Sequence, residues 1–342
     1  MAAVALLASC SNDETVEMVQ SKAIGFSNAF VNNGTRSISD PSFTTTTLEN
    51  FAVYGFTQNG KIFDGVQVTK SGSGDNVEWK YSPLQYWVKG NTYTFGAIAP
   101  SSVKDNVSGV TLPENATKVE MKVAFTNTDN NQVDLLHAAP AQIAGSNVTE
   151  SYATPVGLTF SHQLSKVKFS FENAVGEGYQ VKVSEVKITD AYSTGTLTVA
   201  ATGNNWSDQS ANTLTLNFGN VVAPEATADE AAFIANGATL ESYNEKLMIP
   251  TASDAIYTVT FTAELFQGEV SLGSFVHSTT ITGVEFKLGY CYNFKATLTH
   301  ENIVGPDQPL NPIEFTVDDI SNWNNTEENK TLQVPSTTQN GN

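Results

Sequence analysis

Two residues in this chain have a type and setting that invite covalent chemistry, Cys10 and Arg36. Cys10 closes the apolar run MAAVALLASC, where Leu7-Ala8-Ser9-Cys10 has the pattern of a bacterial lipobox. Cleavage ahead of Cys10 leaves a thiol to carry lipid, so the expected partner is a membrane reached by an acyl anchor rather than by a spanning segment. The run is short for a signal peptide and lacks basic residues at its start, which places the expected natural start upstream of Met1. A buried apolar segment is the competing reading. Arg36 is the sole arginine among 342 residues. It follows Asn32, Asn33 and Gly34, which favour turns, so an arginine-specific protease has one expected cut, between Arg36 and Ser37. The plain alternative is a chance surface arginine, since lysine takes the cationic role elsewhere.

Other candidate chemistry is thinner. Gly55-x4-Gly60-Lys61 mimics the start of a phosphate loop, but Ile62 stands where a hydroxyl residue is needed and the segment joins two strands. His137, His162, His277 and His300 are scattered, with no pair at ligand spacing, and read as structural imidazoles. Asn127, Asp129, Asn131 and Asp134 could line a calcium loop, yet lack the glycine and terminal glutamate of an EF-hand and read as a solvated loop. Asp318 and Asp319 face opposite ways on a strand, unsuited to concerted acid and base work. Cys291 has no histidine at useful spacing and reads as structural. No catalytic residue, metal or cofactor is therefore expected.

The elements that must position Arg36 are strands. In Lys22–Ser27 the apolar Ile24 and Phe26 alternate with Ala23, Gly25 and Ser27, the period of a strand with one buried face, and a cut at Arg36 would release it. From residue 43 onward short strands alternate with turn signals: ENFAVYGF before QNGK, VEWKYSPLQYW, NTYTFGAIAP, VDLLHA, and the long VGLTFSHQLSKVKFSFENA. YQVKVSEVKIT, GTLTVAA, NTLTLNF, EKLMIP, AIYTVTFTAELF and SFVHSTTITGVEFKLGYCYNFKATLT continue the series, which points to antiparallel β-sandwiches. One short helix is expected after the capping box Thr227-Ala228-Asp229-Glu230, ending at Asn236-Gly237.

Length and charge narrow the partners. A chain of 342 residues can bury two cores. Its net charge of −18 repels nucleic acid and anionic headgroups, and no stretch of 18 consecutive apolar residues offers a membrane span. An internal repeat supports two related domains: Trp87-x-x-Gly90-x-x-Tyr93-x-Phe95 has the spacing of Phe286-x-x-Gly289-x-x-Tyr292-x-Phe294. The best linker is the polar segment from Gly145 to Thr154 ahead of Pro155. The expected organisation is a signal segment 1–10, a leader and strand 11–36, and sandwiches over 37–155 and 156–342.

In order along the chain, the lipobox at Cys10, Ile24-x-Phe26 ahead of Thr35-Arg36-Ser37, FAVYGF, WKYSPLQYWVKGNTYTFGAIAP, VDLLHA, VGLTFSHQLSKVKFSF, KLMIP and GVEFKLGYCYNF make this sequence resemble the fimbrillin family. These are subunits of type V pili and related surface lipoproteins. The leader SNDE likewise resembles the export signal of surface lipoproteins in some Gram-negative anaerobes. The resemblance implies an all-β chain of two tandem transthyretin-like antiparallel β-sandwich domains, outer-membrane lipidation at Cys10, and proteolysis at Arg36 and Ser37. It also implies loss of the strand holding Ile24 and Phe26, and its replacement by a strand from a neighbouring fimbrial subunit, in the service of adhesion to a host or bacterial receptor. Donor candidates are Ile313, Phe315 and Val317 in NPIEFTVDDI, and Leu332 and Val334 in TLQVP; the first segment reads equally as the ordinary last strand of the second domain. The polar tail STTQNGN leaves a tip or accessory subunit open. Two other classes compete. A monomeric lipoprotein could bind glycan through exposed aromatics among Trp79, Tyr81, Tyr86 and Trp206, and a secreted hydrolase would need a nucleophile or paired carboxylates that the sequence does not offer.

Overall fold

The computed structural model describes residues 22–31, 48–73, 77–210, 212–303 and 313–322. Strands dominate them. In chain order these are β1 (Phe26–Val31), β2 (Asn50–Thr57), β3 (Gly60–Ser71), β4 (Glu78–Lys80), β5 (Tyr93–Ala99), β6 (Val107–Thr111), β7 (Glu120–Thr126) and β8 (Leu136–Ala138). They continue with β9 (Val156–His162), β10 (Ser165–Asn173), β11 (Tyr179–Ala191), β12 (Thr194–Val199), β13 (Asn205–Ser210), β14 (Leu214–Gly219) and β15 (Val221–Val222). The last are β16 (Ile234–Ala235), β17 (Thr239–Ser242), β18 (Lys246–Met248), β19 (Tyr257–Gln267), β20 (Val270–Ile281), β21 (Tyr290–Leu298) and β22 (Phe315–Asn322), with a short helix α1 (His300–Ile303) before β22.

Four sheets result among the described residues. Seven strands run β1-β9-β8-β5-β2-β3-β4; six include the path β15-β17-β10-β21-β22; five include β14-β11-β19-β20; four run β13-β12-β7-β6. Most pairs are antiparallel, as the turn-rich sequence predicts. Two are parallel, β1 with β9 and β10 with β21, a departure from a purely antiparallel reading. Pairing also crosses residue 155: β9 pairs with β8, and β12 pairs with β7. The chain leaves the seven-stranded sheet at Gln163-Leu164, between β9 and β10, where Trp206 Nε1 donates to the Gln163 carbonyl at 2.7 Å.

The pleat explains three cores. In β2, Phe51 and Val53 turn to a first core shared with Phe63, Tyr93, Phe95, Leu158 and Phe160, while Ala52 and Tyr54 turn to a junction core with Met121, Phe125, Leu197 and Ile249. A sheet covered on both faces needs a near-continuous apolar strand, which is what NFAVYGFT supplies. The second core lies between the six- and five-stranded sheets, where Phe169, Phe171 and Phe294 meet Val183, Val259 and Phe261.

The junction core has a polar brace built from the loop after β7. Asn127 Nδ2 and Gln132 Nε2 both donate to the Leu247 carbonyl at 2.8 Å, and Leu247 N donates back to Gln132 Oε1 at 2.8 Å. Asp129 pairs with Lys246 at 3.1 Å, and Asp134 with His162 at 2.9 Å. The side chains that suggested a solvated or calcium-binding loop are therefore largely committed to β18 and to β9. The expected helix after Thr227 is absent. The Asp229 carboxylate instead accepts from Asn220 N at 2.7 Å, and buried Ile234 joins β16 to pair with Val181 of β11. The phosphate-loop mimic is a hairpin: a Cβ on Gly55 would lie 2.9 Å from the rings of Phe63 and Phe95, so that glycine makes room for core aromatics.

Candidate functional site

The candidate site is the slot occupied by Lys22–Val31. Alternation aims Ile24 (1% exposed) and Phe26 (5% exposed) into the first core. Phe26 is ringed by four aromatics, with centroids at 5.9 Å to Phe51, 5.8 Å to Phe63, 5.6 Å to Tyr81 and 6.2 Å to Phe95. All four contacts are edge-to-face, the arrangement that suits ring quadrupoles. Burying such a ring contributes roughly 1.5–3 kcal/mol.

The backbone of the segment is held on both sides. On one side Ile24 N donates to the Gln85 carbonyl at 2.8 Å and Trp87 N donates to the Lys22 carbonyl at 3.0 Å. On the other, Val156 N donates to the Gly25 carbonyl at 2.8 Å and β1 continues parallel to β9 with an irregularity between Ser27 and Phe30. Tyr81, just after β4, donates its hydroxyl to the Ile24 carbonyl at 2.7 Å; burial pushes that phenol's pKa up, which keeps the donor protonated. The seven-stranded sheet thus curls until its two edges meet around Ile24 and Phe26. Removing the segment would expose an apolar slot and leave the Gln85 carbonyl and the Trp87 and Val156 amides without these partners.

From the sequence, Trp87 and Phe95 stand out in the repeated motif and Tyr81 as a glycan aromatic, but nothing there brings the walls together as a slot. Phe51, Phe63, Phe95, Tyr81, Gln85 and Trp87 come from four separate stretches that only the fold collects. Among the four candidate glycan aromatics, Trp79 and Tyr81 pack on the first core and Trp206 on the junction core, while Tyr86 stays 50% exposed. Cys10, Arg36, Ser37, Leu332 and Val334 lie outside the described residues.

The C-terminal candidates form a second plug. Ile313 is 4% exposed, and Phe315 sits among Phe169, Phe171 and Phe261 at 5.1, 5.7 and 6.1 Å. β22 pairs antiparallel with β21, Phe315 opposite Ala296 and Val317 opposite Phe294, so among the described residues this segment is the last strand of the second core.

The repeated motif forms two matching corners. Gly90 and Gly289 take φ of +78° and +73°, where a side chain is strained. After each glycine a tyrosine hydroxyl reaches back: Val88 N donates to Tyr93 Oη at 2.7 Å, and Lys287 N to Tyr292 Oη at 2.8 Å. Each tyrosine also meets the large aromatic before the glycine, Trp87 at 4.7 Å and Phe286 at 5.0 Å.

Three histidines are buried. Burial, with the charge of Lys118 adding, lowers the pKa of His137 to about 4, and burial also lowers that of His277. His162 is fully buried against Asp134. Among the described residues no group of three or more His, Cys, Asp or Glu is placed to hold a metal, and no helix is long and apolar enough to cross a membrane.

An all-β body of packed sheets, plugged at one end by a strand ahead of a lone arginine, is the class that fold and site define. The chain belongs to the fimbrillin-like family, whose model matches residues 35–323. Among solved structures it is similar to a fimbrial protein from Bacteroides vulgatus, with a TM-score of 0.55, 15% identity, and coverage of 88% of this chain and 99% of that one. It is also similar to candidate cell adhesion proteins from Bacteroides uniformis (TM-score 0.48, 14% identity, 90% and 99% covered) and Bacteroides ovatus (0.48, 13%, 89% and 98%). At these identities the likeness to the first is one of fold, and the two weaker ones add nothing to it. No curated protein matches the chain.

Proposed function

We propose that this chain is a structural subunit of a cell-surface fimbria that serves adhesion. On this reading it is exported as an outer-membrane lipoprotein through Cys10, cut between Arg36 and Ser37, and joined to its neighbours by exchange of a strand. The observation that carries the proposal is the position of Ile24 and Phe26: core residues supplied by a segment at a sheet edge, a few positions before the only arginine of the chain. A cut at Arg36 makes that segment separable, and an incoming strand with apolar residues at alternate positions restores both the burial and the ladder.

By its side chains the first C-terminal segment fits the slot better, and donating it also requires its release from β21 and the second core, which Leu332 and Val334 in the tail do not need. Ile313-x-Phe315 repeats the spacing of Ile24-x-Phe26, each followed by a hydroxyl residue, whereas Leu332 and Val334 bring no ring to replace that of Phe26. A glycan-binding monomer is less well supported, because three of its four candidate aromatics pack against the cores.

The test uses protein lacking residues 1–10 and an arginine-specific protease, followed by N-terminal sequencing and electrophoresis without boiling, with Arg36→Ala as control. A new terminus at Ser37 and a ladder of detergent-resistant oligomers, both lost in the control, are expected. Clean cutting without oligomers would make the chain a tip or accessory subunit. Resistance of the folded protein to cutting at Arg36 would overturn the processing step.

A further inference from the structure

The sheet edge at β20 differs from its neighbours. Natural sheets blunt their edges with short strands, charges or bulges, because a free row of amides and carbonyls templates another strand. Most other edges here follow that rule, and β1, uncharged in FSNAFV, is interrupted between Ser27 and Phe30. β4 is three residues with Glu78 and Lys80, β22 carries Asp318 and Asp319, and β13 carries Asp208 at φ +54°. β6 is five residues broken by Gly109 at φ +61°, and the Asn217 amide of β14 is taken by Asp129 at 2.7 Å. β20 has twelve residues, VSLGSFVHSTTI, with no Asp, Glu, Lys, Arg or Pro. It pairs with β19 on one side and, among the described residues, ends its sheet on the other, with the hydroxyl of Thr279 donating to the Ile313 carbonyl at 2.6 Å.

Its side chains point the same way. After the irregularity at the start, Gly273–Ile281 is in unbroken register with Tyr257–Leu265. His277 and Ile281 turn inward, His277 stacked on Phe261 at 5.1 Å, while Val276 stands 79% exposed among exposed Ser274, Ser278 and Thr280. Val270 and Leu272, 64% and 48% exposed, extend the apolar content of the same edge.

We propose that β20 is a pairing edge for a second copy of this chain, the two strands meeting antiparallel about a two-fold axis so that the five-stranded sheets run on into each other. The choice of a second copy rests on charge. At physiological salt charges are screened over about 8 Å, so two chains of net charge −18 repel least where a strand carries no charge, and β20 is a twelve-residue window without any. Antiparallel self-pairing sets Val, Ser and Thr opposite one another, cross-strand partners that stabilise a sheet. A closed two-fold contact is the commonest way identical chains associate. One strand pair buries less than the roughly 1,000 Å² of a durable interface, so the contact is weak between single chains and adds up between chains held in rows. Because β20 belongs to a different sheet from β1, the pairing stands independently of strand exchange.

The test takes uncleaved protein lacking residues 1–10, under reducing conditions and without protease. Sedimentation from micromolar to millimolar concentration is read beside amide exchange of β20. Wild type is expected to form dimers at the upper end, with slowed exchange along Gly273–Ile281. Val276→Lys, at a site exposed enough to leave the fold intact, is expected to weaken the dimer by about tenfold or more through like-charge repulsion. Val88→Lys, at another exposed apolar position, is expected to change nothing. A protein monomeric throughout, or a dimer indifferent to Val276→Lys, or β20 amides that exchange equally fast at all concentrations, would overturn the proposal.

Discussion

The two ends of the chain plug two cores with the same chemistry and different ladders. Near the N-terminus Ile24-x-Phe26 enters a ring of four aromatics, and near the C-terminus Ile313-x-Phe315 enters a ring of three phenylalanines. The N-terminal plug is held by a few hydrogen bonds to Gln85, Trp87 and Val156 and by a parallel pairing broken between Ser27 and Phe30. The C-terminal plug is zipped antiparallel to β21 from Tyr290 to Ala296, with one irregularity at Asn293. Side chains supply the burial in both. The ladder sets how readily each strand leaves, and the looser one lies a few residues before Arg36.

The largest effects separate the two plugs by burial. Phe26→Ala removes a ring that is 5% exposed and is expected to cost about 3–5 kcal/mol in denaturant unfolding. Phe315→Ala removes a half-buried ring and should cost less, about 2–3 kcal/mol. An equal or reversed order would break the comparison. Acid should act next. Because His137 has its pKa lowered to about 4 in the fold, against about 6.5 unfolded, the unfolded chain binds more protons between those values. Stability from this group is therefore complete above about pH 6.5 and falls as the pH drops toward 4, by on the order of 3 kcal/mol in all. His137→Gln should flatten that slope, and since the His137 ring lies against Asn204, which also bonds Gln163, amides around the junction should open first in acid. The smallest effects test the two corners. Tyr93→Phe loses the bond from Val88 N and should cost about 1 kcal/mol. Tyr292→Phe should cost somewhat more, about 1–3 kcal/mol, because its hydroxyl also donates to the Glu285 carbonyl at 2.8 Å.

Local chemistry made much of this legible. Alternation in Lys22–Ser27 predicted which residues turn inward, and the spacing of Trp87, Gly90, Tyr93 and Phe95 against Phe286, Gly289, Tyr292 and Phe294 predicted two like corners. What stayed hidden depends on partners far away in sequence. Asn127 and Gln132 look like loop residues until Leu247, 120 and 115 positions on, supplies the carbonyl they share. Thr227–Glu230 looks like a capping box because the acceptor role of Asp229 toward Asn220 cannot be read locally. The parallel run of β1 along β9 joins segments some 130 residues apart, and the walls around Phe26 come from four stretches that only the fold collects.

The most direct measurement of the central claim uses protein cut after Arg36 and a synthetic peptide of residues 311–322. Thermal unfolding and intact-complex mass spectrometry would be followed as the peptide is added. Displacement of the residue 11–36 fragment and a rise in Tm are expected, with no effect from the same peptide carrying Ile313→Asp and Phe315→Asp. A fragment that stays bound at peptide excess, or a doubly substituted peptide that works as well as the native one, would contradict a slot that is emptied and refilled by a strand bearing Ile-x-Phe.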